Sequence, residues 1–91
     1  MESRHRHIRN RLRMHRRMHR LRQRDVARIL GLQSTAQLSQ WENGLAMPGG
    51  VQLIKLGILY GTFPNELYFE YYQELKAEIK ARQHELSDTI L

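Results

Sequence analysis

The segment from Gln23 to Gly44, QRDVARILGLQSTAQLSQWENG, constrains this chain more tightly than any other. Val26, Ala27 and Leu30 recur at helical spacing, and Gly31 follows where a helix C-terminus favours positive φ. A second helix opens at Ser34 or Thr35, either of which can cap its free amides. It carries Leu38 and Trp41 three apart on one face and ends at Asn43-Gly44, two residues that tolerate the left-handed conformation. Helices joined this tightly cross at close range, which needs a small residue at the contact, and Ala27 supplies it. Burying Leu38 and Trp41 turns Thr35, Gln37, Ser39, Gln40 and Asn43 outward.

The remaining chain reads as further helices. Pro occurs only at 48 and 64, and no run of β-branched residues alternates with polar ones, so an all-α fold is expected. Ile8, Leu12 and His15 share a face of a first helix over about residues 7–19. After Pro48-Gly49-Gly50, the stretch from Val51 to Leu59 is apolar nearly all round, the pattern of a central helix buried by its neighbours and stopped by Gly61. A last helix is predicted from Pro64, suited to a first turn, to about Leu86.

Charge then separates the two ends. Residues 1–30 hold eleven arginines against Glu2 and Asp25, a local +9, while residues 31–91 carry four basic and seven acidic residues, a local −3, giving the net +6. Such polarity suggests a polyanion met by one end. Arg4, Arg6, Arg9 and Arg13 are candidates for phosphate contact, with residues 1–7 expected to form a basic, disordered arm. With no cysteine there is neither a disulfide framework nor a thiolate zinc site, and a reducing cytoplasm is the default compartment. No apolar run reaches the roughly 20 residues of a membrane span. Ninety-one residues can build one modest core, and no carboxylate pair or Ser/His/Asp set stands out, which argues against an enzyme.

Small residue, glycine and apolar anchor at these offsets form a helix-turn-helix, whose second helix presents its outer face to the DNA major groove. Gln pairs bidentately with adenine, so Gln37 and Gln40 are the first candidates for base readout. Leu12 and Arg16, LRQRDVARILG at 21–31, SQWENG at 39–44, and LIKLGILYG with PNELY at 53–68 occur in the order of a known family. In these motifs the chain resembles the phage-repressor and Cro (Xre-like) helix-turn-helix family over about residues 8–68. The resemblance implies a five-helix, lambda-repressor-like domain that binds operator DNA, usually as a dimer. It further implies Gln23 on a phosphate, Thr35, Ala36 and Gln40 at the bases, and Asn43 with its following backbone on the sugar-phosphate chain; Ser39, exposed on the same helix and able to hydrogen-bond, is a further candidate for backbone contact. An ion pair between Arg16 and Glu42 is implied as a structural tie. One departure is clear: Gly31 to Leu38 is a residue longer than the family's usual spacing, which extends the turn at Leu32–Ser34.

His15 and His19 lie at i, i+4 and could supply two metal ligands, but no third is evident, so neither metal nor cofactor is expected. The last helix outruns the family's usual ending by nearly 20 residues. Tyr68, Tyr72, Leu75 and Ile79, with Phe69, form a near-heptad stripe on it, suited to a homodimer. Residues 69–91 are therefore read as an extension for dimerisation or for a protein partner. The combined expectation is a sequence-specific, double-stranded-DNA-binding regulator, most simply a repressor. The alternative is an antitoxin-type or adaptor protein that holds a partner through its C-terminal helix.

Overall fold

The computed structural model describes residues 7–90. Arg4, Arg6 and the rest of the expected arm before His7 lie outside the described residues. The described residues form six helices and no strand: α1 Leu12–Met18, α2 Gln23–Leu30, α3 Ala36–Glu42, α4 Gly50–Tyr60, α5 Pro64–Leu67 and α6 Phe69–Ile90. Leu12, Val26, Leu30, Leu38, Trp41, Leu56, Tyr60, Leu67 and Tyr68 make one core, to which each of the first five helices contributes. The fold is all-α, as the absence of alternating β-branched runs requires.

Three features differ from the sequence expectation: two helix boundaries, where a tertiary contact overrides local periodicity, and the burial of α4. The first helix begins at Leu12 rather than near residue 7. Asn10 is the cause: its Oδ1 accepts the Leu12 N–H at 3.1 Å, while its Nδ2 donates to the carbonyls of Ile8 at 2.9 Å and Trp41 at 3.0 Å. The Ile8 N–H in turn donates to Gly44 O at 2.8 Å, so the segment before α1 is bonded to the end of α3 instead of to its own helix.

The predicted last helix is broken into α5 and α6 at Tyr68, which has φ −119° and ψ 47°. The Leu67 carbonyl accepts the Arg11 N–H at 2.8 Å and so does not continue a helical ladder, while the Tyr68 ring turns into the core at 4 % exposure. Past that break the backbone winds again, and α6 runs beyond Leu86 to Ile90. Burial pushes the Tyr60 and Tyr68 phenols up to about 12.

The third difference concerns α4. Its inner face buries Leu56 and Tyr60, but Val51, Ile54 and Ile58 on the outer face are 68, 60 and 76 % exposed. A helix apolar nearly all round, apart from Gln52 and the exposed Lys55, is thus covered on one side only by the described residues.

Gly44 explains why the entry segment can lie where it does. It has φ +75°, and a Cβ there would sit 2.5 Å from the Ile8 carbonyl oxygen, so both handedness and space require glycine. Gly31, at φ +79°, has open space around it. Gly31→Ala should therefore cost about 1–2 kcal/mol from the left-handed conformation alone. Gly44→Ala should cost clearly more in urea denaturation, because the Ile8 backbone must also move. Equal losses would show that the entry segment does not rest on Gly44.

Candidate nucleic-acid interface

The α2–α3 unit is set by its turn. Gly31 closes α2 in the left-handed region, and the Leu32 N–H donates to Ala27 O at 2.8 Å, which leaves Leu32 packed against the core. Five residues, Gly31 to Thr35, separate the helices. Ser34 Oγ accepts the Ala36 N–H at 3.3 Å, whereas Thr35 stands at the head of α3 without a side-chain capping bond. Exposed Arg24 and Arg28 of α2 flank this turn, lining a shallow hollow of about 390 Å³ with Gln33, Ser34 and Thr35.

Helix α3 divides cleanly into two faces. Leu38, Trp41 and Glu42 point inward, while Ala36, Gln37, Gln40 and Asn43 are exposed and Thr35 and Ser39 are half-buried. Positions 36, 40 and 43 share one surface at i, i+4 and i+7, with Gln37 beside them. That surface is polar and presents three side-chain amides, those of Gln37, Gln40 and Asn43, each about one turn from the next.

Beneath it lies the one buried carboxylate of the three-helix contact. The Glu42 side chain is fully covered, and Arg16 donates to it through Nε at 2.6 Å and Nη2 at 3.1 Å. Gln23 Nε2 donates to Oε1 at 3.0 Å, and Arg13 Nε approaches the same oxygen at 3.4 Å. Arg16 also donates to Leu21 O at 3.0 Å, which ties in the α1–α2 connection. Burial alone would raise the Glu42 carboxyl, but hydrogen bonds from Arg16 and Gln23, with the charges of Arg16 and Arg13, hold it below the ordinary glutamate value.

Arg13 carries this network outward. Its Nη2 donates to Asn43 Oδ1 at 2.6 Å, and Asn43 Nδ2 donates to Ser39 Oγ at 3.4 Å. Arg13, Ser39, Asn43 and Gln23, four of the residues assigned to the DNA backbone on sequence, thus lie around one end of α3. Arg9 does not join them: it borders a hollow with His7, Tyr71 and Glu74 on the α6 side. Tyr68 separates from its stripe in the same way, being buried while Phe69, Tyr72, Leu75 and Ile79 are 39–55 % exposed.

Two residues with large roles carry no motif. Asn10 clasps the end of α3, and Arg11 binds Glu66 at 2.9 Å and Glu70 at 3.1 Å while lying 4.7 Å from the Phe69 ring centre. The Glu70 carboxyl is held below its usual value first by the Arg11 hydrogen bond. Both contacts span more than 30 residues of sequence, so only an excess of acid at the start of the last helix hinted at the second. His15 is buried against Tyr60, with ring centres 5.9 Å apart, and its Nε2 is 3.7 Å from Glu66 Oε2; His19 is exposed and also leans on Tyr60. Among the described residues no three His, Cys, Asp or Glu side chains converge as metal ligands, and no helix is long and apolar enough to cross a membrane.

Removing the central carboxylate tests the network. Glu42→Gln leaves the Arg16 guanidinium covered without a counter-charge and should cost about 3–5 kcal/mol in chemical denaturation at pH 7. A carboxyl held low in the folded state stabilises above its ordinary value of 4.5, and that contribution is lost as pH falls through the lower folded value. The stability gap between wild type and Glu42→Gln should therefore narrow in acid; a gap independent of pH would contradict the assignment.

Comparison with known proteins agrees with this geometry. The sequence matches the helix-turn-helix family over residues 12–67, from the first residue of α1 to the last of α5. No curated protein and no solved structure shows significant similarity to the chain. The matched segment contains the Arg16–Glu42 tie, the α2–α3 turn and the exposed face of α3, and with it the chain belongs to the helix-turn-helix family of the lambda-repressor type, a family of DNA-binding regulators.

Proposed function

We propose that this protein is a sequence-specific transcriptional regulator that acts in the cytoplasm as a homodimer and represses by occupying its operator. The observation that carries this reading is the exposed face of α3, with Gln37 and Gln40 one turn apart beside the bonded set Arg13, Asn43 and Ser39. A helix entering the major groove needs donors and acceptors on its outer face and phosphate-binding groups at its margins. Here Gln37 and Gln40 read base edges, Thr35 and Ala36 extend the reading surface, and the Ala36 methyl packs on a thymine methyl. Arg13, Gln23, Ser39 and Asn43 set the register on the phosphates. Arg4, Arg6 and Arg9 of the entry segment add charge that brings the protein to the duplex.

The Glu42 network supports this division of labour. Arg16 is spent on the fold, whereas Arg13, held by Asn43 at the surface, keeps donors to offer a phosphate. Dimerisation through Phe69, Tyr72, Leu75 and Ile79 places two recognition helices on one duplex, about one helical turn apart. Selection of bound sites from a random duplex pool tests the whole reading, since a dimer returns a palindrome and a sequence-blind binder returns none.

Two sets of variants separate the roles. Gln40→Ala should cost about 1–3 kcal/mol and relax preference at one base position. Arg13→Ala should weaken all duplexes alike and lower the log–log salt slope by about 0.9. If the two variants behaved alike, α3 would not be reading bases. For the dimer, the double variant Tyr72→Asp, Leu75→Asp should sediment as a monomer with unchanged helix content, since both side chains are exposed.

A further inference from the structure

Four arginines around the α2–α3 unit are answered within the fold: Arg11 by Glu66 and Glu70, Arg13 and Arg16 by Glu42, and Arg22 by Asp25 at 3.2 Å. Arg24 and Arg28 are not. Both are exposed on α2, and neither pairs with a carboxylate among the described residues. The one acid of that helix is engaged elsewhere, since Asp25 accepts the Arg22 N–H at 2.8 Å and the Arg22 guanidinium, which hold its carboxyl below the usual value. Arg24 and Arg28 therefore stand one turn apart on one face, a spacing at which like charges repel. An anion relieves that repulsion.

The setting of this pair distinguishes it from Arg17 and Arg20, which are also exposed at the end of α1. Arg24 and Arg28 border a shallow hollow of about 390 Å³ that Gln33, Ser34 and Thr35 also line. Thr35 is the residue before α3, so the hollow lies beside the start of the reading face. Gln33 and Ser34 are exposed and bring an amide and a hydroxyl, both able to donate to a phosphate oxygen.

The other phosphate-directed residues lie at the opposite end of the same helix. Arg13 and Ser39 are bonded to Asn43, past the last turn of α3. Between the two sets α3 is seven residues long, about 10 Å, close to the roughly 12 Å width of the major groove. A helix of that length, with Gln37 and Gln40 toward the bases, offers one set to each of the two strands that wall the groove.

We propose that Arg24 and Arg28, with Gln33 and Ser34, bind phosphates of the DNA strand opposite the one held by Arg13 and Asn43. This rests on the reading of α3 as the recognition helix and adds a second anchor to it. The consequence is orientation: a single phosphate anchor lets α3 pivot in the groove, whereas anchors at both ends fix its angle to the bases.

The test uses the full chain and the duplex that wild-type protein selects from a random pool, with single phosphates replaced one at a time by uncharged methylphosphonate. Wild type should lose affinity at phosphates on both strands of a half-site. The double variant Arg24→Ala, Arg28→Ala should become insensitive to replacement on one strand, and Arg13→Ala on the other. The double variant should also bind about tenfold or more weakly near roughly 0.1 M salt, with the log–log salt slope lowered by about 1.8, while the selected sequence and the helix content stay the same. Arg24→Lys, Arg28→Lys should keep the slope, because an ammonium also pairs with phosphate. Lys76→Ala, Lys80→Ala removes equal charge from exposed positions of α6 and sets the size of a non-specific loss. If wild type selects a sequence, a double alanine variant that loses no more than this control, or that keeps the wild-type sensitivity on both strands, overturns the second anchor alone. A wild-type protein that selects no sequence overturns the reading of α3 on which it rests.

Discussion

The fold turns on a single covered carboxylate. Glu42 lies at the end of α3 and receives hydrogen bonds from Arg16 of α1 and Gln23 at the first residue of α2, so one side chain fixes the mutual orientation of three helices. A buried charge is tolerated only when its lone pairs are occupied, and here four donor contacts from three residues surround it. The consequence for function is direct. The polar face of α3 is held at a defined angle to the body because the residue after Trp41 cannot move without uncovering a charge.

A second tie sets the ends of the chain. Arg11 joins the start of α1 to Glu66 of α5 and Glu70 of α6, and its backbone N–H takes the Leu67 carbonyl that would otherwise extend α5 into one long helix. The break at Tyr68 and the departure angle of α6 both follow from that contact. The charge split acquires a different meaning as a result. Part of the basic first third is answered by carboxylates far away in sequence: Arg11 by Glu66 and Glu70, and Arg13 and Arg16 by Glu42. The arginine block therefore divides into residues that build the domain and residues, such as Arg24 and Arg28, that remain at the surface near the turn.

Much of this architecture was legible in the residues. Ala27, Gly31, Leu38 and Trp41 place α2 and α3 because each answers a local demand: close approach, positive φ, and a helical face with one apolar side. The α2 boundaries, the left-handed Gly31 and the polar outer face of α3 come from periodicity and backbone sterics, which act over a few residues. Illegible were Asn10, Arg11 and the start of α1. Nothing near Asn10 signals that its amide will bond the Trp41 carbonyl 31 residues on, and helical spacing of Ile8 with Leu12 points the other way.

By itself, then, the sequence determined the class of fold, the helix-turn-helix and the face of α3 turned to solvent, because those depend on short-range spacing. Only the tertiary structure decided that Arg11 serves the fold rather than a polyanion, that Tyr68 is core, and that α4 is apolar on a side that none of the described residues covers. The physical reason is the same in each case. A charge or an apolar face is defined by what lies opposite it, and the partners here are brought together from distant parts of the chain.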